Sequence, residues 1–288
     1  MAISIKSPTA TTGSIQLNAS DVLTIDSSGN LTVPNNLTVT GTLQTSSSLS
    51  LNFVTKSSGT SYSVPSNLVW ADVYVIGGGG GGGHARAGDN AAESAGGGGG
   101  AGCHLLKSYT KAQLGTTCSY SLGAGGTGAA AASADNTLGG RGGTTTFTPA
   151  GTDTTTISAY GGYGGTGRNQ NTGVPADAAG GLGGDIDITS TNSYDSSAQL
   201  NVIRITTFGM NGVKGSGATE VVNGGDGGNS MLAAGGSGGK DPASNASVAG
   251  SDGSLGSGGG GACSEDDSTG AAGGNGGDGA IYIVEYLS

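Results

Sequence analysis

The chain has 288 residues, of which 63 are glycine, and a formal net charge of -10 in a sequence where only 10% of residues are charged. Its ten Lys and Arg form no patch, which excludes a nucleic-acid surface, and no apolar run approaches the about 20 residues of a membrane span, which excludes membrane insertion. Leu, Ile, Val and Phe make up about 17% of the chain, too few for an ordinary side-chain core, while the charge is too low for a typical disordered chain.

Residues 1–55 contain few glycines and many Ser, Thr, Asn and Val. The start, Met1-Ala-Ile-Ser-Ile-Lys6, has neither the basic region nor the long apolar stretch of a signal peptide, so synthesis in the cytoplasm is expected. Alternation is clear in Ser14-Ile-Gln-Leu17 and Val22-Leu-Thr-Ile25. Asn30-Leu-Thr-Val33 then repeats as Asn36-Leu-Thr-Val39, which puts Leu31, Val33, Leu37, Val39 and Leu43 on one face. Strands this short bury little by themselves. The pattern fits an intertwined homotrimer in which each chain lends one face to a shared core; a plain hairpin sheet is the alternative. We assign 1–55 to attachment or trimerisation.

From residue 62 to 288 strand-like pieces alternate with glycine clusters. Strands are expected at 68–76, 103–110, 116–122, 144–148, 155–160, 200–207 and 280–286. The clusters lie at 77–83, 96–102, 123–128, 139–143, 161–167, 180–184, 224–228, 235–239, 256–261 and 273–279, with a weaker one near 212–217. An α-helix would cost about 1 kcal/mol per glycine relative to alanine. A polyproline II helix has three residues per turn and makes no internal hydrogen bonds, so its backbone groups point outward to neighbours. In Gly-Gly-x-Gly-Gly the x residues then share one edge. Arg141, Tyr163, Leu182, Asp226, Ser237 and Asn275 are such residues and should face outward. The unbroken run 77–83 has no x residue and belongs at the bundle centre. Gly77, Gly80 and Gly83, with Gly96 and Gly100 on the returning helix, are the structural glycines. Cys103, Cys118 and Cys263 have no zinc spacing, and buried reduced thiols are favoured over a Cys103–Cys118 disulfide.

Several motifs fail on context. Gly77-x-Gly79-x-x-Gly82 matches a dinucleotide fingerprint automatically in seven glycines, but no βαβ pattern follows. Gly235-Gly-Ser237-Gly-Gly has nucleophile-elbow spacing, yet His84 and His104 both precede it. Gly273-Gly-Asn-Gly-Gly-Asp278 approaches a calcium nonapeptide without the tandem copies that motif needs. Glu265-Asp-Asp267 reads as a solvated acidic loop. No catalytic residue, metal ligand or cofactor is assigned, and the chain is not expected to be an enzyme.

A strand leading into a glycine helix sets a direction. If strands occupy one end, 77–83 runs away from them and 96–102 returns. The connections 84–95, 129–138, 168–179 and 240–255 then gather at the far end, whereas the path through 263–272 does not close under this scheme. Those loops carry the candidate ligand-contacting residues: His84, Arg86, Asp89, Asn90 and Glu93; the amide cluster Arg168, Asn169, Gln170 and Asn171; and Lys240, Asp241 and Asn245. Amides and hydroxyls of this kind donate and accept hydrogen bonds as sugar recognition requires.

Over residues 62–288 the chain resembles the glycine-rich domain of bacteriophage tail-fibre and tail-tip proteins. The likeness rests on Asp72-Val-Tyr-Val-Ile-Gly-Gly-Gly-Gly, Tyr120-Ser-Leu-Gly-Ala-Gly-Gly, Gly142-Gly-Thr-Thr-Thr-Phe and Gly276-Gly-Asp-Gly-Ala-Ile-Tyr-Ile-Val-Glu-Tyr. The architecture is similar to the polyglycine-helix adhesins that cap the long tail fibres of T-even-like phages, and the Leu-Thr-Val repeats look like a trimeric fibre shaft. The resemblance implies a virion protein that binds a host surface polysaccharide or outer-membrane protein through loops at its tip, in company with other tail-fibre proteins. A polysaccharide-depolymerising tail spike and a purely structural fibre component are the alternatives. The fold class expected is mostly β and irregular: short shaft-like strands, then a bundle of polyproline II-type polyglycine helices alternating with β-strands, with essentially no α-helix.

Overall fold

Alternating β-branched and aromatic runs become strands, and the glycine clusters between them become extended helices. The computed structural model describes residues 13–17, 20–25, 31–32, 49–86, 94–131, 137–167, 186–187, 216–218, 221–240, 246–264 and 270–288. Two compact units emerge, Met1–Ser48 and Leu49–Ser288. In the first, β1 (Gly13–Leu17), β2 (Ser20–Ile25) and β3 (Leu31–Thr32) form an antiparallel sheet with a register shift at Ile15/Gln16.

The second unit continues with β4 (Ser50–Lys56), β5 (Ser61–Ser63), β6 (Leu68–Ile76), β7 (Ser94–Ala95), β8 (His104–Thr110), the single-turn helix α1 (Lys111–Leu114) and β9 (Thr117–Ser121). There follow β10 (Thr145–Thr148), β11 (Ile157–Ala159), β12 (Ile186–Asp187), β13 (Ser216–Ala218), β14 (Val221–Asn223), β15 (Ser247–Val248), β16 (Cys263–Ser264) and β17 (Ala280–Leu287). Helix α1 is the only α-helix among the described residues, and a Thr110/Gln113 capping box holds it. The strands expected near 68–76, 103–110, 116–122, 144–148, 155–160 and 280–286 are present within a residue or two, while 200–207 lies outside the described residues. Residues 50–55, assigned from the sequence to the N-terminal segment, instead form most of β4, which pairs along its length with β17.

Two sheets sit at one end of this unit. The four-stranded sheet has order β4-β17-β6-β8 and the five-stranded one β12-β11-β10-β9-β5. Their side chains form the main hydrophobic core, which includes Val73, Tyr109, Leu114, Phe147, Ile157 and Ile283. Cys103 and Cys118 are buried in that core as reduced thiols, and burial pushes the Cys118 thiol up to about 11. The buried Glu285 carboxylate ties three strands together: it accepts from Tyr62 Oη and Asn52 Nδ2, both at 2.7 Å. Burial, reinforced by that carboxylate, raises the Tyr62 phenol well above its ordinary range.

The bundle grows from these sheets. In 77–83 every glycine N–H donates to a neighbouring segment, and the recipient changes with a period of three. Gly77, Gly80 and Gly83 donate to Cys103, Gly100 and Gly97; Gly78 and Gly81 to Gly143 and Gly140; Gly79 and Gly82 to Gly277 and Gly274. These acceptors run backwards, so three neighbours are antiparallel. The carbonyls of 78–83 receive Gly162 and Gly165, Gly126 and Ala129, and Gly259 and Ala262 in ascending order, so three more neighbours are parallel. Six helices thus enclose 77–83, as an uninterrupted glycine run permits. None of these seven glycines has positive φ, and three residues per turn is the polyproline II repeat.

Sequence reasoning missed a second enclosed helix, 256–262. It bonds to 77–83, 96–102, 224–228, 235–239, 250–251 and 273–277, and every residue in it is buried. Its signal was the run Gly258 to Gly261, where Ser257 breaks the pattern yet is 0% exposed. Elsewhere the outward placement holds: Arg141, Tyr163, Asp226, Ser237 and Asn275 are exposed, and exposure through 121–130 recurs every third residue. Leu182 lies outside the described residues.

Peripheral helices lack neighbours on one side, and their x residues fill in. Gly125 and Gly128 donate to Asp278 Oδ1 and Asn275 Oδ1 at 2.7 and 2.9 Å. Gly235 and Gly238 donate to Asn229 Oδ1 and Asp226 Oδ1, both at 2.8 Å. Donors and acceptors are both spaced by three on antiparallel helices, so short acidic or amide side chains replace the missing backbone acceptors. The Asp and Asn of the near-nonapeptide are therefore engaged as staples within the bundle.

A Cβ on Gly80 would lie 2.1 Å from the Tyr163 carbonyl oxygen, against about 3.5 Å for ordinary contact. Gly80→Val should therefore abolish soluble folding, whereas a change at exposed Ser237 should shift stability by less than about 0.5 kcal/mol; circular dichroism and thermal melts of the two variants check this. The double change Asn275→Ala with Asp278→Ala removes two staples and should cost about 1–2 kcal/mol, measured by denaturant titration.

Candidate functional site

The ladder directions fix where each connection emerges. Helices 77–83, 123–129, 161–167, 235–239 and 256–262 run away from the large sheets, and 96–102, 139–143, 224–228 and 273–279 return. The stems of 84–95, 129–138 and 240–246 therefore stand at the far end, as does Gly167, which opens the next connection. So do Ser264 and Gly270, and the path through 263–272 closes there after all. It closes because 256–262 runs outward, parallel to 77–83.

A small sheet caps this far end. β15 pairs with β16 and β16 with β7, bringing Ser247, Ser264 and Ser94 side by side. Ser247 and Ser264 hydroxyls are 3.1 Å apart. Ser94 Oγ accepts the Arg86 N–H and donates to the Arg86 carbonyl, both at 2.8 Å, which clamps the stem of the 84–95 loop. Ala85 bridges Ala271, and Ala85, Ala262 and Ala271 pack together. The β13–β14 hairpin packs beside β7 and β16. The platform is built mainly of small side chains, with Val248 packed against Ala95 and Cys263.

The candidate residues divide accordingly. Arg86 is partly exposed and Lys240 exposed at this end. His84 is not a surface contact: it is 0% exposed, and its ring lies where a Cβ on Gly167 would fall, 2.0 Å from Nδ1. It packs the interior under the loops because 77–83 delivers it directly from the bundle centre. Asp89, Asn90, Glu93, Arg168, Asn169, Gln170, Asn171, Asp241 and Asn245 lie outside the described residues. The placement of 240–255 needs correction. Only its first part is at the far end; from Val248 the chain runs back, and 254–256 turns beside the large sheets. There Leu255 has φ 44° and Gly256 φ 79°, and Gly256 abuts Ile76. Leu138, bridged to Thr166 and 61% exposed, is a far-end group that sequence reasoning passed over. Its signal was a lone large apolar residue just before a glycine cluster. Gly77, Gly80, Gly83, Gly96 and Gly100 are buried in the bundle as expected.

Among the described residues no three His, Cys, Asp or Glu side chains gather as a metal site. His104 is at the opposite end, 8% exposed, and its Nε2 accepts the Met231 N–H at 3.1 Å. Ser237 lies on an outbound helix whose neighbours are backbone, with neither histidine beside it. Among the described residues the far end presents two cations, Arg86 and Lys240, beside backbone groups and the exposed Leu138.

The His104 environment gives a pH dependence. Burial lowers its pKa from 6.5 to about 4. With the folded value depressed, the stability tied to the neutral ring is complete above pH 6.5 and is lost as pH falls toward 4. At about 1.4 kcal/mol per unit the loss amounts to roughly 2–3 kcal/mol. Chemical denaturation at pH 7 and pH 4 should show His104→Gln losing less stability than wild type over that interval by about this amount.

Residues 55–286 match the family described as a glycine-rich domain. Comparison with curated proteins finds no match.

Proposed function

The chain belongs to the glycine-rich domain family, and from that premise we propose that it is a bacteriophage tail-fibre tip protein, an adhesin that attaches the virion to its host. The observation that carries this reading is the convergence of stems at one end: Arg86 and Ser94, Ala131 and Thr137, Gly167, Lys240 and Ala246, and Ser264 and Gly270 all open there from helices locked by backbone bonds. Loops anchored on such a frame lose little further entropy on binding. Their sequence can change while the frame is kept, because the ladder between the glycine helices is made of backbone bonds. In this reading the protein is made in the host cytoplasm and assembles into the tail with other fibre proteins. Residues 1–48 gather three chains, and several weak contacts per particle sum to firm attachment.

The ligand is polar. Arg86 and Lys240 offer hydrogen bonds and charge, and the loop sequences add amides and hydroxyls; Leu138 is the exception. Host surface polysaccharide fits this chemistry better than an apolar patch of an outer-membrane protein. The chain acts by binding, without catalysis or a cofactor.

Replacing Arg168, Asn169, Gln170 and Asn171 with small residues, together with Arg86→Ala and Lys240→Ala, should reduce adsorption of particles to host cells at least tenfold without changing the thermal melt of the purified protein. A change of that size corresponds to about 1.4 kcal/mol of binding free energy. Unchanged adsorption would reject the far end as the contact surface. New reducing ends released from host polysaccharide would favour the depolymerase instead.

A further inference from the structure

The four-stranded sheet shows its second face to the outside. Pairing registers Tyr286 with Leu51 and Trp70, Val284 with Phe53 and Asp72, and Tyr282 with Thr55 and Tyr74. Phe53 stacks near Tyr282 with centroids 6.2 Å apart, and Trp70 on Tyr286 at 4.3 Å. Leu51 and Phe53 are 56% and 60% exposed. The one charge on this face among the described residues is Asp72, already engaged by Ser108 Oγ and by Tyr286 Oη. A contiguous apolar face of this kind marks an interaction site.

We propose that this face is a contact between copies of the chain. β4, which supplies Leu51 and Phe53, begins two residues after Ser48, the end of the first unit. Whatever gathers several N-terminal units therefore also brings several copies of β4 together. Area supports a tethered contact over a free dimer. Four strands about 4.8 Å apart and seven residues at about 3.3 Å give a face on the order of 450 Å², below the about 800 Å² per partner of a stable interface. A weak self-contact of that size closes when tethering raises its effective concentration to the millimolar range. A face whose one charge among the described residues, Asp72, is already hydrogen-bonded within the sheet suits self-association, since identical surfaces cannot complement a large net charge. This inference is independent of what the far-end loops bind; it rests only on the N-terminal units gathering the chains.

Trp70 is the only tryptophan in the chain and lies within this face, so its fluorescence reports on the contact. The full chain should sediment as an oligomer, with acrylamide quenching of Trp70 severalfold weaker than in Phe53→Glu or Leu51→Glu. Both positions are exposed in the single chain, so the variants should keep the wild-type circular dichroism. An oligomer in which Trp70 is quenched equally in wild type and both variants overturns the face contact and leaves N-terminal association intact. A monomeric full chain overturns both. Protection of Trp70 in that monomer assigns the cover to the chain's own residues 1–48, and exposure of Trp70 there leaves the face to another protein.

Discussion

In a polyproline II helix no backbone N–H can reach a carbonyl of its own helix, so each must be met from outside. That requirement organises the glycine-rich unit. The N–H groups of 77–83 point in three directions in turn, and so do the carbonyls, which is why six neighbours close around it. The bonds form only where helices approach to backbone contact. A Cβ at Gly79 would stand 1.8 Å from the Ser257 carbonyl oxygen. Glycine is demanded here by the closeness of the approach, since none of the 77–83 glycines has positive φ.

Such a bundle is stabilised unlike an ordinary domain. It has little apolar side-chain area to bury, so the hydrophobic contribution is concentrated between the two sheets at its base. The bundle itself depends on many buried hydrogen bonds, each contributing about 0.5–1.5 kcal/mol net and costing more if broken on one side. Position in the lattice then decides tolerance. The helices 77–83 and 256–262 are closed on all sides, whereas 123–129 and 235–239 reach solvent and are completed by Asp and Asn side chains.

The two ends consequently do different work. At the base, long strands and the Glu285 clamp bind β4 to the rest of the unit. At the far end, two-residue strands of Ser, Ala, Cys and Val finish the helices and release loops. Between them the helices hold a fixed separation through their backbone bonds. A protein that must keep its frame while changing what it contacts gains from that division.

Among the described residues the six longer expected strands other than 200–207, the near absence of α-helix, the glycine helices, the centrality of 77–83 and the outward x residues were legible in the sequence. Each follows from a local period of two or three that the chain cannot hide. Three other features were decided by tertiary structure. β4 joined β17 from the opposite end of the chain, because the Leu51/Phe53 alternation does not say which edge it will meet. The burial of His84 came from its place one residue beyond the central helix, which composition alone made look like a polar loop start. The second closed helix, 256–262, was concealed by Ser257, and with it the outbound leg that brings 263–272 to the far end and turns 254–256 at the base. Local periodicity states how each segment exposes its hydrogen-bonding groups. Which segment answers them depends on the whole lattice, because every glycine helix offers its neighbours the same backbone.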